Sequence, residues 1–498
     1  MGFSALPKLS LTPREQLFRK CLLDCRDSMQ DVPGMKDLVL RWTGGWVRDK
    51  LLNVPSVDID VGLSTMTGEQ YAKALQAYMS QHSTKYEEEA TKQGFKAELK
   101  NLHKIEANPE KSKHLETITT RMFGIDVDFV NLRKEVYTQD SRNPQVEFGT
   151  AGEDALRRDA TVNALFYNLD TQLVEDLTGQ GLDDMQKKII RTPLEPHQTF
   201  MDDPLRVLRL IRFAARLGYT VEEKCLKAMA DPEIHQALMK KISRERVGVE
   251  IGKIMTGPDA YGGLTRVYDL NLYKTVFADP ESIHNAPREE NYPDAVAALR
   301  RVLEEQSYIC LVIKPKDDIT AAWSLAAYVQ YNQFHPEVAV LASRNAIKAT
   351  NQISKLIGDA VKHRLAIESA VQQVHAGQGS RVFVGALLRA AGTTWRHQLL
   401  YSLLCDATIS SFDTIVESYQ SFVRYIHEQD LEGAAELKPI LNGNEVKTAL
   451  DVQKAGPWLK AAIDEVVEWQ FAHPQGSAAE AKAWLVESKE AILKKVTG

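Results

Sequence analysis

The chain has 498 residues, 44% of them hydrophobic and 26% charged, and a formal net charge of −6. Such a composition belongs to an ordinary globular protein of about two to four domains, and no apolar run approaches the roughly 20 residues that a membrane span requires. The mildly acidic balance excludes binding of nucleic acid by bulk charge, so any polyanion must meet a locally basic surface. In chain order, Thr12-Pro13-Arg14-Glu15 precedes an apolar helical pattern and reads as an N-cap with proline at the first helical position. Cys21 and Cys25 fall four residues apart in that pattern; with Cys225, Cys310 and Cys405 they make five dispersed cysteines. An odd, scattered set argues against a disulfide framework or zinc site and for a reducing compartment. The first twenty residues carry no secretory apolar core, and Leu6 stands where a myristoylation signal wants a hydroxyl.

Strands are expected at 38–41 and 57–63, flanking the turn Gly44-Gly45. Side chains two apart on a strand share a face, so Asp58 and Asp60 project together while Val57, Ile59 and Val61 face a core. Two such carboxylates suit Mg²⁺, a hard cation that keeps positions open for water and substrate phosphates. Upstream, Gly44 and Gly45 let backbone N–H groups approach a polyanion, and Arg48 adds a planar, permanently charged fork. Gly-Gly alone is usually a turn and Asp-x-Asp alone usually solvated surface. In this order, and opening an alternating strand, they read as a phosphate cradle followed by a metal site.

Segment 101–120 is polar and weakly patterned and is expected to be a mobile loop. A strand follows at 124–132, with Asp126 and Asp128 again two apart. From about residue 154 the pattern turns helical, interrupted by a short strand pair near 164–176. Apolar residues recur at three-to-four spacing over 155–168, 203–216, 243–255, 344–364 and 458–471. The fold class is therefore α+β: a small mixed head followed by a long helical body. Proline- and glycine-rich breaks near 257–258, 280–293, 377–380 and 474–477 mark soft boundaries.

Arg158, Asp159 and Asn163 lie within about one turn. They could clamp a triphosphate and hydrogen-bond a ribose hydroxyl, or simply form a salt-bridged helix start. Asp203, Arg206, Arg209 and Arg212 advance by three along one helix face. Arginines so aligned repel one another unless neighbouring acids or a bound phosphate intervene. An Asp beside an Arg also suits a nucleobase with an exocyclic amine next to an acceptor, the pattern of cytosine and adenine. A buried mismatch there leaves polar groups unpaired, which rejects other bases. Asp203 and Arg206 are thus a candidate protein template for C and A. On the expected helix 344–364, Arg344, Lys348, Lys355 and Lys362 share a face, either a ridge for an RNA backbone or a solvated side.

Taken together, Gly-Gly-Trp-Val-Arg-Asp at 44–49, Asp-Ile-Asp at 58–60, Arg-Arg-Asp-x-x-x-Asn-Ala from 157, Asp-Leu-Thr-Gly-Gln-Gly-Leu-Asp-Asp at 176–184 and Asp-Asp-x-x-Arg-x-x-Arg from 202 resemble the class II CCA-adding tRNA nucleotidyltransferases, of the polymerase-β-like superfamily. The likeness spans about 38–255, including Ile-Ser-Arg-Glu-Arg-Val-Gly-Val-Glu at 242–250; 441–445 and 456–458 resemble the family's tail, implying a contact with the tRNA elbow. It departs in opening the template motif with Asp202 where the family usually has Glu.

The resemblance implies a nucleotidyltransferase head at 1–155, a nucleotide-recognition neck at 156–257, a helical body at 258–400 and a tRNA-binding helical tail at 401–498. It implies that Asp58 and Asp60 bind Mg²⁺, with Asp126 as a third carboxylate. Gly44, Gly45 and Arg48 would hold triphosphate, and Arg158, Asp159 and Asn163 sugar and phosphate. Asp203 and Arg206 would read the base, with Arg209 and Arg212 in support. The implied partners are tRNA, CTP and ATP, with no membrane and no obligate protein partner. The implied location is the cytoplasm, with mitochondrial and nuclear copies left open. A poly(A) polymerase on the same head, or a non-catalytic RNA-binding relative, would share these motifs.

Overall fold

Thr12 starts the first helix as its neighbours require: its side chain accepts the Glu15 backbone N–H, and Glu15 accepts the Thr12 N–H in return. The computed structural model describes residues 8–56, 58–97, 103–105, 117–138, 141–315, 318–452, 456 and 458–497. The chain divides into two units, Met1–Thr275 and Val276–Gly498.

The first unit is built on a seven-stranded mixed sheet. Its elements in order are α1 (Pro13–Ser28), β1 (Leu40–Thr43), α2 (Gly45–Leu51), β2 (Asp58–Leu63), α3 (Gly68–Lys92), β3 (His103–Ile105), β4 (Thr117–Met122), β5 (Ile125–Asn131), β6 (Arg133–Thr138), β7 (Ser141–Phe148), α4 (Ala151–Leu156), β8 (Leu165–Asn168) and β9 (Val174–Asp176). The sheet order is β3-β4-β5-β2-β1-β8-β9, with β6 and β7 forming a separate hairpin. Neighbouring strands are antiparallel except β2 and β5, which run parallel. Alternation decides which face is dry. Ile59, Val61, Val127 and Phe129 are buried, and the helices α1 and α3 cover them. Phe18 stacks on Trp42 at 5.6 Å, Tyr71 meets Phe129 at 5.4 Å, and the Tyr71 hydroxyl donates to the Leu22 carbonyl at 2.8 Å. Buried aromatics of this size dominate the stability of such a layer.

The unit continues with helices α5 (Gly181–Lys187), α6 (Pro196–Asp202), α7 (Leu205–Leu217), α8 (Glu223–Met229), α9 (Pro232–Lys241), α10 (Arg244–Met255) and α11 (Ala260–Asp269), and with a short parallel strand pair, Ile189–Ile190 and Thr220–Val221. Helix α7 buries Leu205, Leu208, Ile211 and Ala215 along one stripe, as its spacing predicts. All five cysteines are free and buried. Among the described residues, no helix is long and apolar enough to cross a membrane.

Several expectations are corrected, the first of them in this unit. Residues 155–168 are not a helix but the end of α4, a 3-10 turn at Thr161–Asn163 and strand β8. All four residues of β8 are buried, and a continuous apolar run carries no period that separates strand from helix. Within the supposed loop 101–120, residues 103–105 and 117–120 are strand at the sheet's edge; 101–102 and 106–116 lie outside the described residues. The first strand starts two residues later than expected, at Leu40.

The second unit is helical throughout its described elements. The expected helix 344–364 is instead two, Pro336–Ile347 and Asn351–His375. Lys348 takes a left-handed conformation (φ +51°), and Thr350 caps the second helix by accepting the Ile353 N–H. The apolar rhythm continues across this break, which hides it from a periodicity argument.

Candidate active site

The parallel pairing of β2 with β5 sets Asp58 beside Asp126 and Asp60 beside Asp128. Directly opposed residues share a sheet face, so four carboxylates line the face opposite the core. Asp58 and Asp60 are exposed, and Asp126 and Asp128 half-buried. Arg121 lies 3.6 Å from Asp126. Although Asp60 keeps access to solvent, protein crowds its carboxylate. Lost solvation pushes its pKa up to about 6, with Asp128 and Asp58 repelling the charge and Arg158 opposing the rise. An oxygen-only cluster short of positive charge fits a hard divalent cation. Among the described residues no three His, Cys, Asp or Glu side chains close into a cage, so water and substrate phosphates would complete the shell, as Mg²⁺ prefers.

Gly44 brings the β1–α2 turn against this cluster. Its φ of +73° suits glycine alone, and a Cβ there would lie 3.0 Å from Arg158 Nη1 and 3.7 Å from Asp60 Oδ2. Gly45 follows at the helix start, where a Cβ would sit 3.6 Å from Arg48 Nη2. The fork expected from Arg48 is turned inward. Arg48 is buried, its Nε donates to Asp49 Oδ1 at 2.7 Å, and Nη1 donates to Asn163 Oδ1.

Arg158 donates through Nε and Nη2 to Asp154 Oδ2 at 3.1 and 2.9 Å, and through Nη1 to the Asn163 carbonyl at 3.1 Å. Its guanidinium lies over the Phe166 ring. Asp154 is 1% exposed and also accepts Arg157 Nε at 3.0 Å. Burial works to raise its pKa, but Arg158 and Arg157 outweigh it and hold the carboxyl below its ordinary range. Asn163 donates to Asp159 Oδ1 at 3.3 Å. Asp159 in turn accepts Arg209 Nε at 2.6 Å. Burial works to raise the Asp159 carboxyl, yet Arg209, with Arg206 and Asn163, lowers it to about 2.

The arginine ladder of α7 is resolved by acids. Arg209 meets Asp159, Arg212 meets Glu250 of α10 at 2.6 Å, and Arg216 meets Asp49 at 3.1 Å. Arg206 donates to the Arg157 carbonyl at 2.8 Å. Asp203, half-exposed, stands between α6 and α7, accepting the Leu205 N–H at 3.2 Å, with Arg246 at 3.8 Å. A continuous set of contacts thus links Arg216, Asp49, Arg48, Asn163, Asp159 and Arg209.

Other motif residues hold the scaffold. Asp176 accepts the Thr178 hydroxyl, the Gly179 N–H and the Leu182 N–H, anchoring the turn that follows β9. A Cβ at Gly181 would stand 2.7 Å from the Thr161 carbonyl oxygen, so only glycine permits that approach. Asp184, fully buried, joins Thr161 at 2.6 Å to Arg191. In the tail, Asn442 and Glu445 form a capping box.

The structure brings Gly44, Asp58, Asp60, Arg158 and Asn163 together, and ties Asp159, Arg206 and Arg209 to the same neighbourhood. It does not unite the basic ridge: Arg344 and Lys348 end one helix while Lys355 and Lys362 sit on the next, all exposed, with Lys355 paired to Asp359 at 2.8 Å. Sequence reasoning missed Asp154, Asp49 and the coupling of Arg212 to Glu250. Asp154 had a signal, standing three and four residues before Arg157 and Arg158; Glu250, 38 residues from Arg212, had no local one.

Residues 40–191 match the family described as the poly A polymerase head domain, and 218–283 that of a probable RNA- and SrmB-binding site of polymerase A. The CCA tRNA nucleotidyltransferase, mitochondrial, of Candida glabrata is 38% identical over 96% of each chain. Its namesake in Saccharomyces cerevisiae is 37% identical, over 98% of this chain and 95% of that one. The Thermotoga maritima CCA-adding enzyme, solved with tRNA, superposes with a TM-score of 0.63 at 16% identity, covering 98% of this chain and all of the other.

Proposed function

The chain belongs to the CCA tRNA nucleotidyltransferase family, and from that premise we propose how its residues divide the work of adding C, C and A to the tRNA 3′ end. In the reaction, the tRNA 3′ hydroxyl attacks the α-phosphate of CTP or ATP; a phosphodiester forms and pyrophosphate leaves. Asp58 and Asp60 would hold Mg²⁺, with Asp126 as a third carboxylate. When bound, such a metal activates the attacking hydroxyl and offsets charge on the leaving oxygens. The observation that carries this reading is the β2–β5 register, which pairs Asp58 with Asp126 and Asp60 with Asp128, with Gly44 and Arg158 against Asp60.

Gly45 and Arg158 take the triphosphate, Gly44 giving it room to approach although its own N–H is spent on the Leu165 carbonyl at 3.1 Å, and Arg48 fixes Asn163 toward sugar and phosphate. Asp159 holds Arg209 in place, and Arg212 steadies the far end of α7. Asp203 accepts the exocyclic amine of C or A, while Arg206 donates to the adjacent ring acceptor. The four-part division at 155, 257 and 400 follows these roles of head, neck, body and a tail that receives tRNA, except that the head's sheet runs on through β8 and β9 to Asp176. In the body, Arg344, Lys348, Lys355 and Lys362 contribute separate phosphate contacts rather than one ridge. The yeast relatives are named mitochondrial; we place this chain in the cytoplasm and mitochondria, with the nucleus as a further site. The head-domain match also admits a poly(A) polymerase. Incubation of CCA-less tRNA with CTP alone decides: addition of two C residues, then one A when ATP is supplied, supports the assignment. Long A tails from ATP without C incorporation would overturn it.

A further inference from the structure

At the C-terminal end of α7, a cavity of about 510 Å³ opens between α7 and α10, lined by Arg212, Ala215, Arg216, Lys253, Ile254 and Thr256, with Gly257 and Pro258 behind them. It is apart from the carboxylate cluster. From Arg206 to Arg216 is ten residues of helix, about 15 Å at 1.5 Å per residue. The linked side chains Arg158, Asn163, Arg48 and Asp49 stand between Asp60 and Arg216.

Charge in this corner does not balance. Arg48, Arg212, Arg216 and Lys253 share the two carboxylates Asp49 and Glu250, four cations to two anions, in a chain of net charge −6. The surplus lies at the rim. Arg212 is half-buried against Glu250, whereas the Arg216 and Lys253 side chains are 45% and 56% exposed, and Lys253 approaches Glu250 only to 3.9 Å. Arg216 also repels Arg48, whose pKa falls chiefly through burial and further through that repulsion. An anion over the rim would relieve both.

Resting on the family reading above, we propose that this cleft holds backbone phosphates of the tRNA strand behind its growing 3′ end. A triphosphate whose α-phosphate sits at Asp60 is screened from Arg216 by the intervening side chains. RNA reaches it: a stacked strand rises about 3.4 Å per nucleotide, so 15 Å is about four nucleotides from the templating pair. The cleft positions the acceptor strand and takes no part in the chemistry.

The test uses the full chain with Lys253→Ala and Lys253→Arg. Binding of CCA-less tRNA is measured directly at several salt concentrations, and KM for CTP at saturating tRNA. The alanine variant should bind tRNA about tenfold more weakly, the loss of one charge-assisted contact. The slope of log affinity against log salt should fall by about one. Arginine should restore both, and KM for CTP should stay put. A raised KM for CTP with unchanged tRNA binding would make the cleft a nucleotide site and overturn the proposal. Unchanged tRNA affinity and salt slope would overturn it as well. Because tRNA binding is read without turnover, failure of the wild-type chain to add C would count against the family reading alone.

Discussion

Asp159→Asn removes one charge from the middle of the polar network while keeping the side chain's shape. In the folded chain the Asp159 pKa is lowered from 3.8 to about 2. A depressed carboxylate pKa stabilises the fold fully above the unfolded value, and the contribution is lost as pH falls toward the folded value. At about 1.4 kcal/mol per unit, the charge of Asp159 contributes about 2 kcal/mol at pH 7, with about half remaining near pH 3. The variant should therefore melt roughly 4–8 °C lower at pH 7. Urea titrations at pH 7, 5 and 3 should show the gap to wild type constant between pH 7 and 5, then halved at pH 3. A gap that does not narrow at pH 3 would show that packing, not the Arg209 pair, sets the cost. No gap at pH 7 would show that the pair contributes nothing net, as some buried ion pairs do.

Asp60→Ala should abolish nucleotide incorporation while tRNA binding, measured by filter retention, changes less than about twofold; surviving activity would dismiss the metal assignment. Arg206→Ala should blur the choice of CTP and ATP over UTP and GTP, by about 1–3 kcal/mol in relative kcat/KM; unchanged selectivity would remove Arg206 from base reading. Gly44→Ala must accept a left-handed backbone with its Cβ 3.0 Å from Arg158 Nη1. It should raise KM for CTP and lower stability by about 1–3 kcal/mol, and a silent substitution would show that the turn adapts.

What the sequence reveals here depends on the distance over which a signal acts. The alternation of 58–63 and the apolar stripe of α7 are local, and both stand as read, with Asp58 and Asp60 on the wet face of β2; Val57 lies outside the described residues, and Asp203, expected on the face of α7, stands before the helix begins at Leu205. The Asp58–Asp126 and Asp60–Asp128 pairing rests on strand register between segments more than 60 residues apart, which no local pattern encodes. Arg48 misled for a related reason. A guanidinium three residues beyond a glycine pair looks like a ligand, and only the tertiary positions of Asp49 and Asn163 show that it is consumed inside. The break at Lys348 was legible in principle from Thr350 followed by Asn351, a capping pair that the apolar rhythm overrode.

The strand order carries a consequence for synthesis on the ribosome. β1 lies between β2 and β8, and β8 in turn is closed by β9, which ends at Asp176. A nascent chain that has emerged only to residue 155 holds the aspartates and the glycine turn, yet presents β1 as a bare edge with unpaired backbone groups, a template for pairing with another chain. The catalytic sheet cannot close until residue 176 has left the exit tunnel. An expression fragment meant to isolate the head should likewise run past Asp176, since one cut at 155 keeps the carboxylates and loses the strand that shields their sheet.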